Sequence, residues 1–145
     1  ENGQGDVLIA WENEAFLSMQ EEPGEYEIVV PSASVLCQPT VAVVDEVVDR
    51  RGSRAVAEEY LNYLYSDEAQ KLVGESYYRP ADQDIAKQFY TEEGTHEITE
   101  LPSDGKWMVT DVAMADISHF GGWDAVIEKH FSDGGIFDTI YERNR

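Results

Sequence analysis

The stretch Gly5-Asp6-Val7-Leu8-Ile9-Ala10-Trp11-Glu12-Asn13-Glu14-Ala15 changes from a buried-strand pattern to a helix pattern within a few residues. Residues 7–10 form a continuous apolar run of the length expected for a strand covered on both faces. Residues 12–19 read as a helix whose acids Glu12 and Glu14 sit at its positive end. This places Trp11 at the carboxyl end of a strand, the edge of an α/β sheet where ligands collect. An indole there offers one N–H donor and no acceptor, which suits an anion. On position alone, a tryptophan after an apolar strand is more often a core or lid residue.

Composition narrows the partners. Thirty acids stand against ten bases, a formal charge of −20, which argues against nucleic acid or anionic lipid. An anion site in such a field must rely on local N–H dipoles, not on a basic surface. Apolar residues make up 42% of the chain, enough for a packed core, and no apolar stretch is long enough to span a membrane. The opening residues Glu1-Asn2-Gly3-Gln4 carry no signal peptide and look like the middle of a longer sequence. Cys37 has no intrachain partner and, beside Val35, Leu36 and Pro39, is expected to be a small buried hydrophobe.

Outward from the opening stretch, Glu22-Pro23-Gly24 stops the first helix. Residues 26–31 read as a strand, Ser32-Ala33-Ser34 as a turn, and residues 35–37 and 40–44 as further strands. From Arg54, Ala55, Ala57, Tyr60, Leu61 and Leu64 recur at helical spacing. Ser66 reads as the N-cap of a second helix through Leu72 and Val73, and Pro80 ends the pair. Asp82 is expected to cap a short helix through Ile85, Ala86 and Phe89. Residues 90–105 read as a loop or weak hairpin, 107–110 as a strand and 111–117 as a helical turn. Helical spacing returns from Asp124 to Phe131 and from Ile136 to Tyr141.

Chemistry is sparse. Gly121-Gly122 and Gly134-Gly135 offer backbone N–H groups to an oxyanion, or serve as turn and cap residues. His96, His119 and His130 have no metal-like spacing, so neither a metal site nor a cofactor is expected. Glu12 and Glu14 suit the positive helix end better than an acid/base pair. No nucleophile signature surrounds Ser32, Ser34 or Ser53, and the chain does not read as an enzyme.

The run from Glu1 to Ala15 resembles the sulfate and thiosulfate binding proteins of bacterial ABC importers. Further matches follow in order: Glu27-Ile28-Val29-Val30-Pro31-Ser32, Val41-Ala42-Val43-Val44-Asp45, Arg54-Ala55-Val56-Ala57-Glu58, Tyr63-Leu64-Tyr65-Ser66, Tyr77-Tyr78-Arg79-Pro80, Phe120-Gly121-Gly122-Trp123 and Asp133-Gly134-Gly135. The resemblance implies an α/β protein of the periplasmic binding protein type II-like class. It also implies that this chain is the carboxyl-terminal half, with parts of both lobes. Residues 1–36 belong to the second lobe, 37–78 to the first lobe with the helix pair, and 79–145 return to the second.

The implied ligand is sulfate or thiosulfate, held by neutral donors, with Trp11 giving its indole N–H to an oxyanion oxygen. The implied partner is a membrane permease, and the implied location periplasmic. Tyr78 and Gly122 brace the cleft without a ligand role. The family's remaining donors lie in an amino-terminal half outside this chain, so ligand binding is not expected of the chain alone, and a dimer or domain-swapped assembly is. The segment 93–119 departs from the family pattern. A stand-alone interaction or regulatory module without ligand is the alternative.

Overall fold

The computed structural model describes residues 5–142, leaving out the side chains of Tyr141 and Glu142. Glu1, Asn2, Gly3 and Gln4, which open the family motif, lie outside the described residues. The chain divides into two compact units, Glu1–Pro31 with Thr40–Asp111, and Ser32–Pro39 with Val112–Arg145.

The first unit is built around Trp107. Helix α1 (Glu12–Glu21) buries Asn13, Phe16 and Met19, one face at helical spacing. Phe16 stacks on Tyr77 with ring centroids 5.0 Å apart and meets Trp107 edge-on at 5.4 Å. Trp107 is 1% exposed, and its indole donates to the Gly74 carbonyl at 2.9 Å. That bond answers the one polar atom of a fully buried ring.

Helices α2 (Asp45–Arg51), α3 (Arg54–Tyr63) and α4 (Asp67–Glu75) follow. The α3–α4 pair and the Ser66 cap match the sequence reading: the Ser66 hydroxyl accepts from the Ala69 N–H at 3.3 Å. Buried Gln70 closes the turn between them, donating to Leu64 and accepting from the N–H groups of Ala81 and Asp82. Asp82 in turn caps α5 (Gln83–Ala86), as expected, and a 3₁₀ turn over Lys87–Phe89 extends it. Strand β1 (Ile28–Val29) pairs antiparallel with β3 (Glu97–Ile98), Ile28 facing Ile98.

In the second unit, β2 (Ala33–Val35) pairs parallel with β4 (Ala113–Ala115), Ala33 opposite Ala113. A 3₁₀ turn, Ile117–Phe120, precedes α6 (Trp123–Val126), a π-helical turn over Ile127–Phe131 and α7 (Ile136–Glu142). Mixed helix and strand agree with the α/β reading.

Several local expectations are corrected. Residues 7–10 form no strand, and Val7 and Ile9 are 88% and 97% exposed. Residues 40–44 likewise belong to no ladder. Both runs have the apolar content of buried strands, but a strand exists only where a neighbour answers its N–H and C=O groups. Two of the three residues read as a turn at 32–34 belong to β2, and the segment read as a helical turn at 111–117 contains β4. Each is the other's partner, about eighty residues away, so short-range spacing could not reveal either.

Residues 107–110 contribute one isolated bridge, Met108 to Tyr90, though Trp107, Met108 and Val109 are buried as an inner strand would be. The loop read at 90–105 contains β3. Helix α2 was unforeseen, although its signals were present: Asp45 and Glu46 in the first turn, Arg50 and Arg51 in the last, and left-handed Gly52 (φ 64°) at its end. Cys37 is exposed, not buried, because the segment after β2 has no covering layer among the described residues.

Candidate functional site

Trp11 is the N-cap of α1, with extended backbone (φ −66°, ψ 148°) and a carbonyl that accepts the first helical bond, from Ala15 N–H at 3.1 Å. Its side chain cannot cap, so no side chain closes the first turn. The indole is 61% exposed, and its N–H has no acceptor among the described residues. A free donor therefore stands at the positive end of a ten-residue helix.

The turn behind Trp11 is fixed from below. Arg79 grips Glu12 with both prongs, Nε to Oε2 at 2.7 Å and Nη2 to Oε1 at 2.8 Å. Nη2 also donates to the Val109 carbonyl at 2.8 Å, tying the pair to the buried run beside Trp107. One residue along each segment, the amide of buried Asn13 donates to the Tyr78 hydroxyl at 3.0 Å. Glu12 and Asn13 are thus bound to Arg79 and Tyr78 in succession.

The end of α4 aims those two residues. Tyr77 adopts φ 61°, its N–H donating to Gly74 O at 3.1 Å while the Tyr78 N–H donates to Val73 O at 3.0 Å. This is the paired closure of a helix by a left-handed residue, a place normally taken by glycine. Tyr77 holds it because its ring is clamped between Phe16 and Trp107. Pro80 then keeps Arg79 out of helical conformation, so the chain runs back toward α1. Sequence reading named the Trp11 and Tyr78-Arg79 motifs separately; what it missed is that Glu12 and Asn13 join them.

The other candidates hold no free ligand groups. The N–H groups of Gly121 and Gly122 donate to Ser118 and Ile117 carbonyls, that of Gly134 to the Asp138 carboxylate, and that of Gly135 to Ser132. All four serve as turn and cap residues. Glu12 and Glu14 form no facing acid pair, since Arg79 holds one and Asn13 donates to the other. Among the described residues no cluster of three or more His, Cys, Asp or Glu side chains is placed to hold a metal ion.

Two histidines have local roles. His119 pairs with Asp116 at the start of the Ile117–Phe120 turn, where the Ser118 hydroxyl first, then His119 and the Ser118 N–H, hold the Asp116 carboxyl down to about 2. His96 lies between the Val30 carbonyl and the Asp111 carboxylate, both at 3.0 Å. The carbonyl and then the carboxylate raise its pKa above the ordinary imidazole value, and His96 lowers that of Asp111.

Comparison with known proteins now has a geometry to attach to. The family described as bacterial extracellular solute-binding protein matches residues 1–79. The chain belongs to that family. It is 44% identical over 144 residues to the sulfate-binding protein of Escherichia coli strain K12, covering 99% of this chain and 39% of that protein. It is 41% identical over 145 residues to the thiosulfate-binding protein of Pseudomonas aeruginosa, with 99% and 39% covered. A sulfate-binding protein of Synechocystis is 32% identical over 138 residues, with 95% and 35% covered.

The resemblance read from the motifs thus extends along nearly all of the chain, which spans about two fifths of these solute-binding relatives' length. Among the described residues no helix is long and apolar enough to cross a membrane.

Proposed function

We propose that this chain takes part in capturing sulfate or thiosulfate in the periplasm, as part of the solute-binding component of an ABC importer, and that it binds without catalysing. The observation that carries the reading is its 44% identity, along 99% of its length, to a sulfate-binding protein. Trp11 is the donor this chain supplies, its indole N–H bonding an oxyanion oxygen at the start of α1. A net charge of −20 repels anions at long range, so capture depends on directed neutral donors in a site closed from water.

In this reading the whole protein is of the two-lobed type II class. Closure on the anion presents both lobes to a membrane permease. The donors beyond Trp11 lie in the remainder of the protein, so the 145 residues bind weakly or not at all by themselves. Calorimetry with sulfate tests this on the chain alone and on a chimera in which it replaces the matching 39% of the Escherichia coli protein. Binding by the chimera alone supports the reading. Absence of binding by both, with the chimera folded, refutes it.

One observation favours a second reading. Val7, Leu8 and Ile9 are exposed and pair with no strand among the described residues, an apolar run open to pairing with another copy as a dimer or swapped assembly. Such an interaction module would need no ligand. Sedimentation of the chain, with and without Ile9→Lys, distinguishes a self-associating module from a monomer.

A further inference from the structure

We propose that Arg79 and Tyr78 are positioning residues for Trp11: by pinning Glu12 and Asn13 they fix the first turn of α1 and so the direction in which the indole N–H points. The inference rests on the reading of Trp11 as an oxyanion donor, and goes beyond it by assigning how that donor is held.

An N-cap residue normally fixes its own helix start, because its side-chain oxygen bonds the N–H groups of the first turn. Tryptophan cannot do this, and α1 has no side-chain cap. A first turn without a cap frays, and a fraying turn would carry Trp11 with it. The structure supplies an external hold at the two residues that follow Trp11. Arg79 makes a two-pronged contact with Glu12, at 2.7 and 2.8 Å, and anchors itself on Val109. Tyr78 accepts from Asn13. A forked guanidinium–carboxylate contact fixes orientation as well as distance, which a lysine could not reproduce.

Charge points the same way. Glu12 beside the positive end of α1 suits the helix, but an unpaired carboxylate there would repel an incoming anion. Arg79 neutralises it while remaining engaged, so the turn is held without placing a net negative charge next to Trp11.

The test uses indole resonances in nitrogen–proton NMR spectra of the full chain, assigned by replacing each of its three tryptophans in turn. Trp107, bonded to Gly74, reports the core of the same unit, and Trp123 reports the other unit. Arg79→Met is expected to shift or broaden the Trp11 signal while the Trp107 and Trp123 signals stay in place. Arg79→Lys should give an intermediate change. Tyr78→Phe removes only the hydroxyl and serves if Arg79→Met fails to fold.

In the chimera, Arg79→Met should weaken sulfate binding by about tenfold, the equivalent of one misdirected hydrogen bond, and Arg79→Lys should restore part of it. A Trp11 signal unmoved by Arg79→Met, or by Tyr78→Phe where Arg79→Met fails to fold, overturns the positioning role. A Trp11 signal that moves in these variants but never responds to sulfate in the chimera leaves positioning intact and removes the ligand reading instead.

Discussion

The His96 ring nitrogen Nε2 stands 3.0 Å from an oxygen of the Asp111 carboxylate, while Nδ1 stands 3.0 Å from the Val30 carbonyl. Both partners only accept, so this geometry requires a proton on each nitrogen, the imidazolium form. His96 thereby joins the end of β1 to Asp111, the last residue of the first unit before the chain leaves it.

A pH dependence follows. Because the folded His96 pKa is raised, its contribution is fully present below the ordinary value of about 6.5 and is lost as pH rises through the raised value. The depressed Asp111 pKa acts at the other end: its contribution is present above about 3.9 and is lost as pH falls through the lowered value. The clasp is therefore strongest between about pH 4 and 6.5. Titration of the His96 ring protons should show a midpoint above 6.5 that Asp111→Asn moves downward. A midpoint at or below 6.5 in the unmodified chain contradicts the assignment.

Tyr77→Gly opposes two effects of unequal size. Glycine would relieve a left-handed residue, a gain of about 1–2 kcal/mol, but removing a ring packed between Phe16 and Trp107 costs about 3 kcal/mol or more. Net destabilisation of at least ~1 kcal/mol by urea unfolding is the expected result. A more stable variant would mean that the aromatic clamp contributes little.

Gly74→Ala runs against helix propensity in the same way. An added methyl carbon would lie 2.1 Å from Cε2 of the Phe89 ring, which packs near Trp107. In the last turn of α4 alanine gains at most about 1 kcal/mol, while overpacking costs about 1–3 kcal/mol. Denaturant midpoints should fall, and substitution at Phe89 by leucine in the same background should recover part of the loss.

Exposed residues 7–10 give a contrast with the core. Ile9→Ser should change the stability of this chain by no more than about 0.5 kcal/mol, as for other surface sites. Phe16→Ala should cost about 3–5 kcal/mol. If both cost the same, Ile9 is buried in solution and its segment has found a partner.

These contrasts show what the sequence made legible. Helices α1, α3 and α4 and the caps at Ser66 and Asp82 follow from signals within a few residues, and the structure has them. The apolar content of residues 7–10 and 107–109 was equally clear, but one segment is exposed and the other forms the core. Pattern reports the tendency to be buried, whereas burial requires a covering surface that pattern does not identify. Short strands β2 and β4 were missed because each is defined by a distant partner.

At the candidate site, the motif around Trp11 was legible, and Trp11 is proposed from it as a donor. The hold on it was not, because it joins residues 67 apart in sequence through Arg79 and Glu12.

The central claim is that Trp11 gives its indole N–H to the captured oxyanion. The most direct measurement is sulfate affinity of the chimera with Trp11 and with Phe in its place. Loss of about 1–3 kcal/mol, as for a buried anion deprived of one donor, is the predicted result. An unchanged affinity would remove Trp11 from the site.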